Sequence, residues 1–173
     1  SVVDRIVEEV KDRTQAAGKI ILFGHSAGGQ FVHRWALLGG KKNVDVIAVA
    51  NSGWFTMPDR DIDYPYGIKN VGITDEELGE AFAEPVILFM GEKDVERKPP
   101  FRDTPEADAQ GMNRMERCMN YFRQCRAKAE ELRVPFHWKL ETVEGAAHQG
   151  VKMAEGAAAY IFGKSSEDGN RRV

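Results

Sequence analysis

Ser26 stands in the stretch Gly24-His25-Ser26-Ala27-Gly28-Gly29, which follows the apolar run Ile20-Ile21-Leu22-Phe23 and leads into a helical pattern. A serine hydroxyl is a weak nucleophile. It needs a turn that exposes it, a base to take its proton, and backbone N–H groups facing the oxyanion that its attack creates. A strand turning sharply into a helix supplies the turn and the amides together. Gly24 and Gly28, two residues either side of Ser26, are expected to remove side chains that would collide at so abrupt a junction. With 17 glycines in the chain the pentapeptide alone is only moderately specific. Its context sharpens it, because Gln30 to Leu38 continues as a helix with Phe31, Trp35 and Leu38 apolar at helical spacing. The competing reading is a Gly-rich turn that only packs closely or holds an anion at a helix N-terminus.

A serine so placed requires a histidine and an acid. In open parallel sheets these follow in the order Ser, acid, His, past the carboxyl ends of later strands. Asp94 lies just beyond the apolar run Val86-Ile87-Leu88-Phe89-Met90, and His148 just beyond a run ending near Thr142, so both meet the requirement. Glu92, Glu96, Asp61 and Asp63 are the substitutes should Asp94 be a solvated turn residue, and His148 has the alternative of a cap or loop histidine. His25, His33 and His137 are weaker candidates for the base. His25 adjoins the nucleophile and leaves the turn in another direction, His33 falls inside the following helix, and His137 lies in mid-strand.

The elements that must position these groups alternate between strand and helix. Val2 to Ala17 reads as an amphipathic helix with Val3, Ile6, Val7 and Val10 on one face. Strand Lys19 to Phe23, the turn, a helix to about Leu38 and a second strand, Val44 to Ala50, make a βαβ unit. Residues 54–84 lose periodicity and read as a cap-like insertion, rich in Trp54, Phe55, Tyr64 and Tyr66. It ends in a short helix opened by the capping box Thr74…Glu77. After the strand at Val86 comes one long helix from Thr104-Pro105 to about Leu132, with Met112, Met115, Met119, Phe122, Cys125, Ala129 and Leu132 as its core stripe. Phe136, Trp138, Leu140 and Thr142 alternate with polar residues as an edge strand would. Gln149 to about Phe162 forms the last helix, and 164–173 is expected to be a flexible tail. The fold class expected is α/β, with about four mostly parallel strands and helices on both faces.

Composition bounds the function. The chain has 173 residues, 42% of them hydrophobic and 29% charged, which suits one globular domain with a real core. A net charge of −3, with basic residues scattered, gives nucleic-acid binding no support. Apolar stretches fall far short of the ~20 residues a membrane span needs. Cys118 and Cys125, seven residues apart on one helix, would have α-carbons ~10 Å apart, so reduced thiols are expected, and no metal-ligand spacing surrounds them. Localisation stays open, with a lean towards the cytoplasm.

These residues resemble the α/β-hydrolase superfamily over nearly the whole chain. The Gly-His-Ser-Ala-Gly-Gly turn, the strand closed by Gly91-Glu92-Lys93-Asp94, and Gly145-Ala146-Ala147-His148 look like those of esterases related to poly(3-hydroxybutyrate) depolymerases and feruloyl esterases. The resemblance implies a serine esterase acting on a small-molecule or oligomeric ester, without metal or organic cofactor. Ser26 would attack the carbonyl, His148 would carry the proton, Asp94 would orient the imidazole, and the Ala27 N–H would be one oxyanion donor. His25, Trp54, Phe55, Tyr64 and Tyr66 are expected to contact substrate. An acyltransferase or peptidase using the same three residues, or a non-catalytic binding module of the same fold, are the alternatives.

In this fold the second oxyanion donor comes from a loop after an earlier strand, and none precedes the helix at Val2. The chain therefore reads as the carboxyl-terminal part of a larger hydrolase, residues 1–163 being a partial domain. The bare edge of strand 19–23 is expected to be covered by the missing segment or, failing that, by self-association or another polypeptide.

Overall fold

The computed structural model describes residues 2–15, 18–38 and 43–167. Helix α1 spans Val2–Thr14 and leads to strand β1, Ile21–His25, and helix α2, Ala27–Leu37. Strand β2 is Val46–Ala50, helix α3 Asp75–Ala83, and strand β3 Val86–Gly91. A four-residue helix α4, Pro105–Asp108, precedes the long α5, Arg114–Leu132, followed by strand β4, Lys139–Val143, and helix α6, Gly150–Glu167. All four strands run parallel in the order β1-β2-β3-β4, so their carboxyl ends all point to one edge of the sheet. Among the described residues, no helix is long and apolar enough to cross a membrane.

β2 and β3 are the near-continuous apolar strands that a parallel sheet covered on both faces demands. Their residues alternate between two cores. Ile47, Val49, Val86, Leu88 and Met90 pack with side chains of α1, α2, α3 and α5. Ala48, Ala50, Ile87 and Phe89 pack on the other face with Met153 and Ala157 of α6. β4 at the sheet margin is only partly buried, but it begins at Lys139, after Phe136 and Trp138, and the expected alternation lapses where Thr142 is exposed and Glu141 and Val143 are half-buried.

Several elements depart from the periodicity reading. α1 buries Val7 and tucks Val3 against the core, but Ile6 and Val10 are exposed together with Val2. Its apolar stripe is therefore wider than the surface the core offers. β1 begins and ends two residues later than expected, because its register with β2 runs as far as His25 opposite Ala50. On α2 the buried side chains are Val32, His33, Trp35, Ala36 and Leu37, whereas Phe31 is 53% exposed.

The expected single helix from Thr104 to Leu132 is broken in two. At Gly111 φ is +147°, and a Cβ there would come within 2.8 Å of the Arg117 nitrogen. Asn113 then caps α5 afresh, its side chain accepting from the Glu116 N–H at 2.9 Å. The capping box at Thr74 and Glu77 is formed on both sides. α6 runs on to Glu167, past the expected end near Phe162, while the remainder of the expected tail, 168–173, lies outside the described residues. Cys118 and Cys125 are buried free thiols. Burial pushes both well above the usual thiol range, so neither is poised as a nucleophile.

The stretch read as a cap-like insertion contributes heavily to the main core. Phe55, Met57, Ile68, Ile73, Leu78 and Phe82 all belong to the α2–α5 side of it.

Candidate active site

Ser26 occupies the junction between β1 and α2 with φ 56° and ψ −116°, a backbone conformation that an L-residue adopts only under strain. Its N–H donates to the Ala50 carbonyl at 2.9 Å and its carbonyl accepts from the Gln30 N–H at 3.0 Å, so neighbouring structure holds the strained turn. The hydroxyl does not cap α2. It lies 2.9 Å from His148 Nε2.

The expected role of glycine is met at Gly24 but not at Gly28. A Cβ on Gly24 would strike the Gly28 carbonyl oxygen and lie 2.7 Å from Val32 Cγ2. A Cβ on Gly28 would meet nothing within 4 Å. The second tight position is Gly29, where a Cβ would sit 2.6 Å from Ser52 Oγ and 2.9 Å from the Ala50 oxygen. Close approach is thus enforced on the helix face that turns towards β2.

His148 Nδ1 is 2.7 Å from Asp94 Oδ2. With Nδ1–H donating to the carboxylate, Nε2 is left as the acceptor for the Ser26 hydroxyl. Ser26, Asp94 and His148, separated by up to 122 positions in sequence, therefore form one continuous hydrogen-bonded chain. The parallel topology explains the convergence, since Ser26 follows β1, Asp94 follows β3 and His148 follows β4 at the same edge. None of the substitute acids takes this place. Glu92 Oε2 accepts from the Gly145 N–H, Glu96 pairs with Lys98 and Asp63 with Lys69, while Asp61 is exposed.

Two side chains that sequence reading did not single out hold the arrangement. Arg114, at the first position of α5, donates from Nη1 to Asp94 Oδ1 at 3.1 Å and from Nη2 to the Pro100 carbonyl at 2.7 Å. Arg114 and Asp94 are both almost fully buried, so the pair must be matched in charge to persist there. Phe101 lies against the guanidinium groups of Arg97, Arg114 and Arg117, at 4.8, 5.1 and 4.3 Å from its ring centre. Asn51, just beyond β2 with φ 45°, accepts from the Gly91 N–H through Oδ1 and donates through Nδ2 to the Ala147 carbonyl. The Lys93 N–H also donates to the Ala146 carbonyl at 2.7 Å, tying the acid-bearing turn to the histidine-bearing one. An Asn at a strand's carboxyl end, a residue tolerant of positive φ, is the signal in the sequence that marks Asn51. Arg114 carried no such signal while α4 and α5 read as one helix.

A cavity of about 500 Å³ opens beside Ser26, lined also by Ala27, Gln30, Trp54, Phe101, Arg102 and Arg114. Ala27 is the first residue of α2, where backbone N–H groups have no partner within the helix. Of the aromatic residues expected to contact substrate, only Trp54 lines this cavity. Tyr66 lies behind it, with ring centres 5.0 Å apart, and its hydroxyl accepts from Arg102 Nε at 2.6 Å. Phe55 is instead fully buried and stacked on Tyr121 at 4.5 Å, because the chain dives into the core directly after Trp54. Tyr64 is exposed and borders a separate depression with Leu38, Lys69 and Val71.

His25 does not line the cavity. Its ring leans on His148 with centres 4.8 Å apart, and its Nε2 is buried without a hydrogen-bond partner. Burial, then the adjacent His148, lowers its pKa below the ordinary histidine value, favouring the neutral ring. His33 is a core residue, and His137 contacts the Ala83 carbonyl away from the site. Among the described residues no cluster of His, Cys, Asp or Glu is arranged to hold a metal ion.

No protein-family model and no curated protein sequence matches the chain. Solved structures are similar to the chain, two of them at above 30% identity. Poly(aspartic acid) hydrolase-1 from Sphingomonas sp. KT-1 superposes with a TM-score of 0.86 at 32% identity, over 93% of this chain and 62% of that one. LpqC, a poly(3-hydroxybutyrate) depolymerase from Bordetella parapertussis, superposes with a TM-score of 0.85 at 31% identity, over 94% of this chain and 56% of that one. The four parallel strands and their flanking helices are thus part of an α/β-hydrolase fold, and the chain spans about three-fifths of the length of these neighbours.

Proposed function

We propose that this portion of an α/β-hydrolase fold carries the reacting groups of a serine hydrolase that cleaves carboxylic esters through an acyl-enzyme. The observation that carries the reading is the relay from Ser26 Oγ to His148 Nε2, 2.9 Å, and from His148 Nδ1 to Asp94 Oδ2, 2.7 Å, mounted on a strained turn. Two of the similar solved structures support hydrolysis at a carbonyl, one named for poly(aspartic acid), a polyamide, and one for poly(3-hydroxybutyrate), a polyester, and the second favours the ester.

In this reading Ser26 Oγ bonds to the ester carbonyl carbon while its proton passes to His148 Nε2. The Ala27 N–H faces the oxyanion that forms. The bond to the leaving alcohol then breaks, and His148 returns the proton to the alcohol oxygen. Water repeats the sequence on the acyl-enzyme, freeing the acid and Ser26. Asp94 stays ionised throughout, holding the imidazole in one tautomer and stabilising its charged form. Arg114 positions Asp94 by binding its other oxygen.

The test is reaction of the protein with a fluorophosphonate, followed by peptide mapping, together with hydrolysis of p-nitrophenyl butyrate. The expected result is a single adduct on Ser26 and loss of turnover in Ser26→Ala. Full hydrolysis by Ser26→Ala would end the proposal.

A further inference from the structure

Resting on that reading of Ser26, we propose that the cavity beside it selects esters carrying a carboxylate, and that Arg102 is the side chain that recognises the charge. The residues lining the cavity include two arginines and no acid, in a chain whose net charge is negative. The two arginines are not equivalent. Arg114 is committed to Asp94 and Pro100. Arg102 spends only Nε, on the Tyr66 hydroxyl, and its terminal nitrogens make no hydrogen bond or ion pair among the described residues. The acids of this segment are engaged elsewhere or leave Arg102 alone. Asp108 holds Arg97 and Arg117, and Asp103, next to Arg102, forms no ion pair with it.

The Arg102 guanidinium is also held in place. It lies over the rings of Trp54 and Tyr66, 5.7 and 5.6 Å from their centres, so part of the ordering cost of binding has been met before a ligand arrives. On the same indole, Arg34 lies 4.9 Å from the ring centre and likewise has no carboxylate partner among the described residues. A planar guanidinium with two free donors matches a carboxylate bidentately, and a second cation on the same indole raises the local potential. Trp54 and Phe101 supply apolar wall for the chain between that carboxylate and the scissile carbonyl.

The test compares mono-p-nitrophenyl adipate, which ends in a carboxylate, with p-nitrophenyl hexanoate, which does not, in wild type and Arg102→Gln. The wild type is expected to favour the adipate, and Arg102→Gln to lose roughly threefold to fivefold in kcat/KM on it while changing less than about twofold on the hexanoate. The adipate advantage should shrink as salt rises. Arg102→Lys should keep part of it. Equal effects on both esters, or a wild type that prefers the hexanoate, would overturn the proposal. Loss of hexanoate turnover in Ser26→Ala tests the esterase reading separately. Equilibrium dialysis of the adipate ester against Ser26→Ala, with and without Arg102→Gln, reads the charge recognition even where no turnover occurs. Unchanged binding there refutes it.

Discussion

His33 makes a quantitative case for how the fold around Ser26 responds to acid. Its ring is fully buried, with Nδ1 3.0 Å from the Gly29 carbonyl and Nε2 3.0 Å from the Thr56 nitrogen. The Thr56 N–H can only donate, so Nε2 must accept and the single ring proton sits on Nδ1, donating to Gly29. A second proton would set donor against donor in a dry site, and burial accordingly pushes the pKa down from 6.5 to about 3. Above pH 6.5 both folded and unfolded chains leave this ring neutral, and its contribution to stability is complete. Below it the unfolded chain takes a proton that the folded one refuses, so stability falls as pH drops, until about pH 3. The slope from this one group approaches about 1.4 kcal/mol per pH unit, and the whole window is worth on the order of 5 kcal/mol. Between pH 7.5 and 5.0 the loss is about 2 kcal/mol.

The perturbation is His33→Gln, read by urea unfolding at pH 7.5, 6.5, 5.5 and 5.0. At pH 7.5 the variant should be less stable by about 1–3 kcal/mol, because Gly29 and Thr56 lose well-placed partners. Between pH 7.5 and 5.0, however, it should lose about 2 kcal/mol less than the wild type does. Parallel pH profiles for the two proteins would mean that His33 titrates in the folded state at its ordinary value and that burial does not oppose its protonation. The consequence reaches the site, because Gly29 belongs to the first turn of α2, which begins directly after Ser26.

Other substitutions separate the causes assigned above. Gly24→Ala should destabilise by on the order of 3 kcal/mol or more, since its methyl meets backbone. Gly28→Ala, with open space around it inside a helix, should be neutral or stabilising by up to about 1 kcal/mol, and calorimetric Tm values on the pair check the contrast. Arg114→Met leaves the buried Asp94 carboxylate without its guanidinium and should cost about 3–5 kcal/mol by urea denaturation, so an unchanged midpoint would sink that account. Cys118 and Cys125 should resist a thiol-specific disulfide reagent in the native protein and react on unfolding, and fast labelling of the folded chain would contradict their burial.

Much of the fold was legible because its sheet is parallel. Buried strands such as Val86–Gly91 are unbroken apolar runs, and a glycine-rich junction between such a run and a helical period marks a sharp strand-to-helix turn. The Ser26, Asp94 and His148 positions followed from chain order and strand ends, which are properties of the one-dimensional pattern. What escaped depended on three-dimensional space. Phe31 has helical spacing but faces outward, and Ile6 and Val10 exceed the width of the core they were assigned to. The break between α4 and α5 hides behind a continuous period, because one glycine and one asparagine cap outweigh it. Phe55, Tyr64 and Tyr66 belong to the same segment as Trp54, yet composition cannot say which of four aromatics the chain turns towards a cavity.

Asn51 anchors two turns at once. One amide grips the end of β3 with its oxygen and the residue preceding His148 with its nitrogen. The two turns that present carboxylate and imidazole are therefore tied to one amide at the carboxyl edge of the sheet. Ser26, whose N–H donates to the Ala50 carbonyl, is fastened to the residue before the same asparagine, so the turns bearing hydroxyl, carboxylate and imidazole share one anchor point.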